Sequence, residues 1–247
     1  MMSIEEQLSN AVQSCNNLAA AVNNKIGQID QRVDDAESEY QGLIAGIRSD
    51  FPFYRITKNQ ELKVGGVLTA GATGTPDGWS NRKASIHTCE IVIDSQSGTL
   101  PAAKHPEVQA LFMDLKGEVP QHTQPDFAIM RVSTDPSEPP ADISTFYSIY
   151  QGPLPNGIPY TIGMFIKIES GEARACDRYH GVPADGKWHE ILVYGEMANG
   201  GANYFHSPHL YIPPGSSVLI ALPAVVAGKV PAGKWGFFHK PKFEHEG

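Results

Sequence analysis

Apolar side chains in the first fifty residues recur in steps of four and three, and this constrains the chain more than any other feature. From Ile4 they fall at Leu8, Ala11, Cys15, Leu18 and Val22, then at Ile26, Ile29, Val33, Ala36, Tyr40, Leu43 and Ile47. More than six heptads of that spacing predict one long amphipathic helix with the narrow seam of a coiled coil. The two consecutive steps of four around Val22 form a stutter, which unwinds a supercoil locally without ending it. Ser3, with Glu6 three residues on, is the pattern of a capping box and marks the start. Pro52 biases Phe51 away from the α region and marks the end. At ~1.5 Å per residue such a helix is about 70 Å long, and one copy has no means of covering its seam. A hairpin that folded the helix on itself would have only Asn23-Asn24, near Gly27, to turn on.

The seam also predicts how many copies meet. Leu8, Cys15, Val22, Ile26, Val33, Tyr40 and Ile47 occupy a positions, and the d positions include Ile4, Ile29 and Leu43. β-Branched residues at both positions shift the preference from dimers toward trimers, so residues 1–50 are expected to form a parallel trimeric stalk. The stalk is acidic. It carries −5 of the formal net charge of −8, and neither part has the basic face that nucleic acid requires.

After residue 50 the period changes to two, and turn chemistry punctuates the chain. Thr75-Pro76-Asp77-Gly78, Pro155-Asn156-Gly157, Ala184-Asp185-Gly186, Asn199-Gly200-Gly201 and Pro213-Pro214-Gly215 separate apolar runs. The runs predict strands over 53–57, 86–94, 127–133, 146–150, 160–169, 187–194, 217–226 and 234–239, with one short helix over 105–116. Eight strands without helical crossovers predict an antiparallel β-sandwich or jelly roll. The expected organisation is a stalk (1–50), a connector (51–66) and a β-sandwich tip (67–247), mainly β overall.

Within the tip, residues 68–79 (LTAGATGTPDGW) resemble the opening of a family of carbohydrate-binding jelly rolls. Residues 160–169 (YTIGMFIKIE), then Gly186-Lys187-Trp188-His189 and Gly195-Glu196, are similar to that family's central strands. Residues 217–228 (SVLIALPAVVAG) resemble the closing strand of similar domains on bacteriophage tail fibres. Together with the stalk, the chain resembles a phage tail-fibre or receptor-binding protein with a carbohydrate-binding-module-like tip. The resemblance implies a homotrimer that docks on other virion proteins through its N-terminus and touches a host-surface glycan with its tip. It also implies location on the virion and release by lysis, consistent with the lack of a basic n-region before an apolar h-region at the N-terminus. A purely structural virion protein is the alternative.

Sugar sites set aromatic faces against C–H surfaces and use polar groups for hydroxyls. The expected ligand-binding residues are therefore Asp177, Arg178, Tyr179 and His180, in the densest polar-aromatic loop, together with Tyr204 and Trp188. His206 and His209 lie close enough in sequence to share a metal but lack a third ligand. No cofactor is expected. By analogy with related jelly rolls, structural calcium would draw on Asp77, Asp94 and Glu61. The longest apolar stretch, residues 218–228, is too short to span a bilayer, so no membrane insertion is expected. GxSxG, HExxH and P-loop patterns are missing, and Glu169, Glu172, Glu190 and Glu196 show no readable pairing as hydrolytic carboxylates. The expectation is a non-enzyme. Cys15, Cys89 and Cys176 stand far apart and read as reduced, buried thiols.

Overall fold

In the computed structural model, residues 3–50, 53–123, 125–139, 141–151, 159–176, 179–195 and 208–241 are described, and over 41–50 the description is of backbone alone. The chain divides into two compact units, Met1–Pro52 and Phe53–Gly247.

The first unit is one uninterrupted helix, α1 (Ile4–Asp50). Its start is the capping box: the Ser3 N–H donates to Glu6 Oε2 (2.9 Å) and the Glu6 N–H donates to Ser3 Oγ (3.2 Å). This satisfies two of the amides that a helix start leaves without partners. All side chains described in α1 are exposed. The seam residues Ile4, Leu8, Leu18, Val22, Ile26, Ile29 and Val33 range from 48% to 84% accessible. Cys15, expected to be buried, is exposed too.

The second unit is mainly β and antiparallel. Its centre is a five-stranded sheet in the order β2 (His87–Ser95), β3 (Phe127–Thr134), β9 (Ser217–Ala227), β5 (Tyr160–Ser170), β7 (His189–Gly195). Among the described residues two short pairs complete the strands: β1 (Ser80–Asn81) with β4 (Ile149–Tyr150), and β6 (Arg174–Cys176) with β8 (His209–Tyr211). The helix α2 (Pro106–Lys116) lies between β2 and β3 in the chain. His105 Nδ1 caps it by accepting the Glu107 N–H (3.1 Å), and Gly117 ends it in the left-handed conformation at φ 76°.

Both faces of the central sheet are covered, so there are two cores. Period-two alternation in β3 sends Ala128, Met130 and Val132 to one and Phe127 and Ile129 to the other. The first core joins Ile162, Ile166 and Ile220 of the sheet to Ile149, Ala175 and Leu210 of the short pairs. The second joins Phe165, Leu219 and Ala221 to Val108 and Leu111 of α2 and to Trp188, Trp235 and Phe238. Burial on both faces explains why β5 and β9 read as near-continuous apolar runs.

Pro223 stands in β9, a central strand, where it has no N–H to offer the ladder. The register with β5 shifts there: Phe165 pairs with Ala221 but Gly163 pairs with Ala224. Leu222 takes up the bulge with φ 50°. Its carbonyl accepts Gln60 Nε2 (3.1 Å) and Trp235 Nε1 (3.1 Å). Gln60, fully buried, also donates to the Gly236 carbonyl (2.9 Å) and accepts the Phe238 N–H (3.1 Å). Residues set apart from sequence as a connector thus supply buried Arg55, Thr57, Gln60 and Leu62. The runs at 53–57 and 234–239 form no strands. They lack sustained ladder partners: Arg55 makes one bridge, to Val226, and its N–H donates to the His239 carbonyl of the tail (2.8 Å).

Candidate functional site

The short pair β6–β8 brings together the two segments that the sequence singled out. Cys176 is registered opposite His209, Ala175 opposite Leu210 and Arg174 opposite Tyr211. The loop that begins at Cys176 therefore leaves the sheet beside His209. Of that loop, Tyr179 is 72% accessible and His180 is exposed, its carbonyl accepting the Ala175 N–H (2.9 Å). Asp177, Arg178, Tyr204 and His206 lie outside the described residues.

Around His209 the structure assembles an aromatic cluster. Leu210 is in the core, so its neighbours His209 and Tyr211 fall on the opposite side of the strand. Tyr147 bridges to Tyr211 and packs edge-on against Tyr150 (5.8 Å between centroids) and against His209 (5.4 Å). The rings of Tyr150 and His209 stack at 5.7 Å and 16°. The Arg82 guanidinium lies 4.7 Å over the Tyr147 ring. Tyr147, Tyr150 and His209 are half-buried, and Arg82 is exposed. The result is a platform of ring surfaces edged by a cation. Sequence reasoning missed Tyr147, Tyr150 and Arg82. They converge only because β4 pairs with β1 and lies beside β8, and no local pattern announces that.

Trp188 is corrected from a ligand residue to a core residue. It is 2% accessible, and its Nε1–H donates to Glu107 Oε1 (2.7 Å) while its backbone N–H donates to Asp114 (2.9 Å). No ring face is left for a sugar. The oxygen donors considered for calcium are engaged elsewhere. Asp77 accepts the Gly65 and Gly66 amides (2.9 and 2.7 Å), Asp94 accepts Gln96 Nε2 (3.0 Å), and Glu61 pairs with Arg55 (3.0 Å). Among the described residues no three His, Cys, Asp or Glu side chains converge to hold a metal ion.

A second polar assembly runs across the sheet on the α2 side. Glu90, Arg131, Leu219 and Lys167 fall in one register row. Arg131 holds Glu169 in a two-pronged pair (2.6 and 2.7 Å), and Ser217 Oγ donates to the same carboxylate (2.9 Å). The hydrogen bond from Arg131 keeps the Glu169 carboxyl below the ordinary glutamate range and raises the guanidinium in turn. Lys167 pairs with Glu107 (2.7 Å). Glu190 accepts the Gly233 and Trp235 amides (2.6 and 2.9 Å), so it anchors the tail and lies apart from Glu169.

Deep under the first core, His87 is 2% accessible and neither ring nitrogen makes a hydrogen bond. Burial pushes its imidazole down to about 4, against the pull of the Ile212 backbone and with the aid of Lys83. Burial likewise pushes the Cys89 thiol up to about 12, so it is an inert thiol inside the unit.

No family model and no curated protein matches the chain. Among solved structures, the chain is similar to the crystal structure of a Stig cyclase, Fisc, from Fischerella sp. TAU, in complex with (3Z)-3-(1-methyl-2-pyrrolidinylidene)-3H-indole. The TM-score is 0.40 at 13% identity, over 73% of this chain and 100% of that one. That protein is an enzyme by its name, so the expectation of a non-enzyme is withdrawn. A likeness at this level assigns neither fold nor activity to this chain. No helix among the described residues is long and apolar enough to cross a membrane.

Proposed function

We propose that this protein is an oligomeric attachment protein: α1 joins parallel copies, as a trimer, and the β unit binds carbohydrate. The observation that carries the reading is the exposed seam of α1. Each Leu, Ile or Val along it is worth about 1.5–3 kcal/mol when fully buried, and a second and third copy supply the burial that one helix lacks. The β unit is read as a jelly-roll-like sandwich whose second sheet is reduced to β1–β4 and β6–β8. Its aromatic platform of Tyr147, Tyr150 and His209 suits the C–H face of a sugar, with Arg82 and the loop containing Tyr179 and His180 for the hydroxyls. Three linked sites turn weak single contacts into avidity. A stalk of this kind under a β unit of this kind is the plan of a virion fibre, and we place the protein there, on the host-facing side of a particle.

Two measurements test the reading. Sedimentation of the full chain should give three chain masses, and mild oxidation should link copies through Cys15. That position is exposed on the helix, and parallel copies in register bring its equivalents within disulfide reach. A single-chain mass without Cys15 links refutes the stalk. On an array of neutral oligosaccharides the protein should bind, and Tyr150→Ala should weaken binding about tenfold, the value of losing one stacked ring. Equal binding by the variant refutes the platform.

A further inference from the structure

Where β2 ends and the chain turns through Pro101–Ala103 into α2, a pocket of about 190 Å³ opens, lined by Asp94, Ser95, Gln96, Thr99, Lys104 and His105. Two observations there go unexplained by the fold. Lys104 is only 5% accessible, and its Nζ donates to one neutral partner, the Gln96 carbonyl (3.0 Å). Among the described residues it makes no ion pair. A cation taken out of water without a counter-ion is costly. Ser95, 3% accessible, lines the same pocket, and its hydroxyl has no hydrogen-bond partner at all. Buried hydroxyls are nearly always satisfied, so both groups describe a site completed from outside.

We propose that this pocket receives the carboxylate of an acidic sugar, with Lys104 as its counter-ion and Ser95 as a hydroxyl donor. The inference rests on the reading of the β unit as a carbohydrate binder and names a second, chemically distinct place on it. The nearby negative groups make no ion pair with Lys104: Asp94 accepts the Gln96 side chain, and Asp126 accepts the Ser97 amide (2.7 Å). Burial lowers the Lys104 ammonium and Asp126 partly restores it, as for a cation held ready for a further anion. The α2 N-terminus beside His105 adds the positive end of a helix dipole. His105 also lines a second, more open cleft of about 350 Å³, with Glu90, Glu107, Arg131 and Glu169. Those carboxylates accept hydrogen bonds from hydroxyls but repel a compact polyanion, which selects a polyhydroxylated monoanion over phosphate.

Titration calorimetry of the full chain with sodium glucuronate, glucose and inorganic phosphate decides the matter. Glucuronate should bind at least about tenfold more tightly than glucose, the usual scale of a charge-assisted hydrogen bond. Lys104→Met should remove that preference while leaving the melting temperature unchanged or higher, because an uncompensated buried charge has gone. Ser95→Ala should weaken glucuronate binding several-fold. Should the lysine variant fail to fold, the serine variant and a rise in the wild-type melting temperature with glucuronate but not glucose carry the test. Undiminished glucuronate binding by Lys104→Met overturns the inference, as does a preference for phosphate. Failure of glucuronate with neutral sugars still bound through Tyr150 overturns it alone; failure of every sugar overturns the carbohydrate reading with it.

Discussion

The two units of this chain treat the same kinds of side chain in opposite ways. In α1, Ile26, Ile29 and Val33 are at least half accessible, whereas in the β unit Ile91, Ile129, Ile166 and Ile220 are fully buried. The β unit closes two cores by itself, because its sheet has a layer on each face. The helix has one apolar stripe and nothing of its own to set against it. A helix held by backbone hydrogen bonds alone draws little stability from propensity in water. One unit is complete in a single copy, and the other has no core of its own among the described residues.

The sharpest way to break that contrast is a charge in the seam. Ile26→Asp with Ile29→Asp should reduce the sedimenting species from three chains to one. The denaturation midpoint of the β unit should stay where it was, and a shift of both would show that the units are not independent. Next in size is Gln60→Leu. It leaves the Gly236 carbonyl and the Phe238 amide without their partner and the Leu222 carbonyl with Trp235 Nε1 alone, and should cost the β unit about 4 kcal/mol by denaturant titration, with no change in oligomer mass. His87 comes third. Its folded value, about 4, lies below its unfolded 6.5, so the unfolded chain binds the extra proton between those values. Stability is therefore complete above pH 6.5 and falls as the pH drops toward 4, by about 3 kcal/mol; His87→Leu should flatten that slope. The smallest effect is expected at Gly163. A Cβ there would lie 2.8 Å from Leu192 and from the Trp235 ring, and Gly163→Ala should cost about 2 kcal/mol.

Legibility followed how local each signal was. The capping box at Ser3 and Glu6, the extent of α1, the α2 helix and the strands β2, β3, β5, β7 and β9 all announce themselves within ten or so residues. The runs at 53–57 and 234–239 have the composition of strands, but isolated backbone bonds, such as the Arg55 N–H to the His239 carbonyl and the Ile56 N–H to the Val225 carbonyl, and the Gln60 side chain hold those segments instead of a ladder. Of the residues chosen for binding, Trp188 looked available because it adjoins a turn; its indole instead pairs with Glu107, eighty-one residues away in sequence. Tyr147, Tyr150 and Arg82 carried no signal of their own. The partners that make them a cluster come from β1 and β8.

Sequence alone determined the long helix, its unshared apolar seam and the antiparallel β character of the rest, because periodicity and turn chemistry act over one or two turns of chain. Only the tertiary structure decided which aromatic rings meet, which tryptophans are spent in the core, and that Lys104, without an ion pair, shares a pocket with Ser95, whose hydroxyl has no partner. Those outcomes depend on contacts between residues far apart in the chain, and side-chain burial is settled by what the other layer brings.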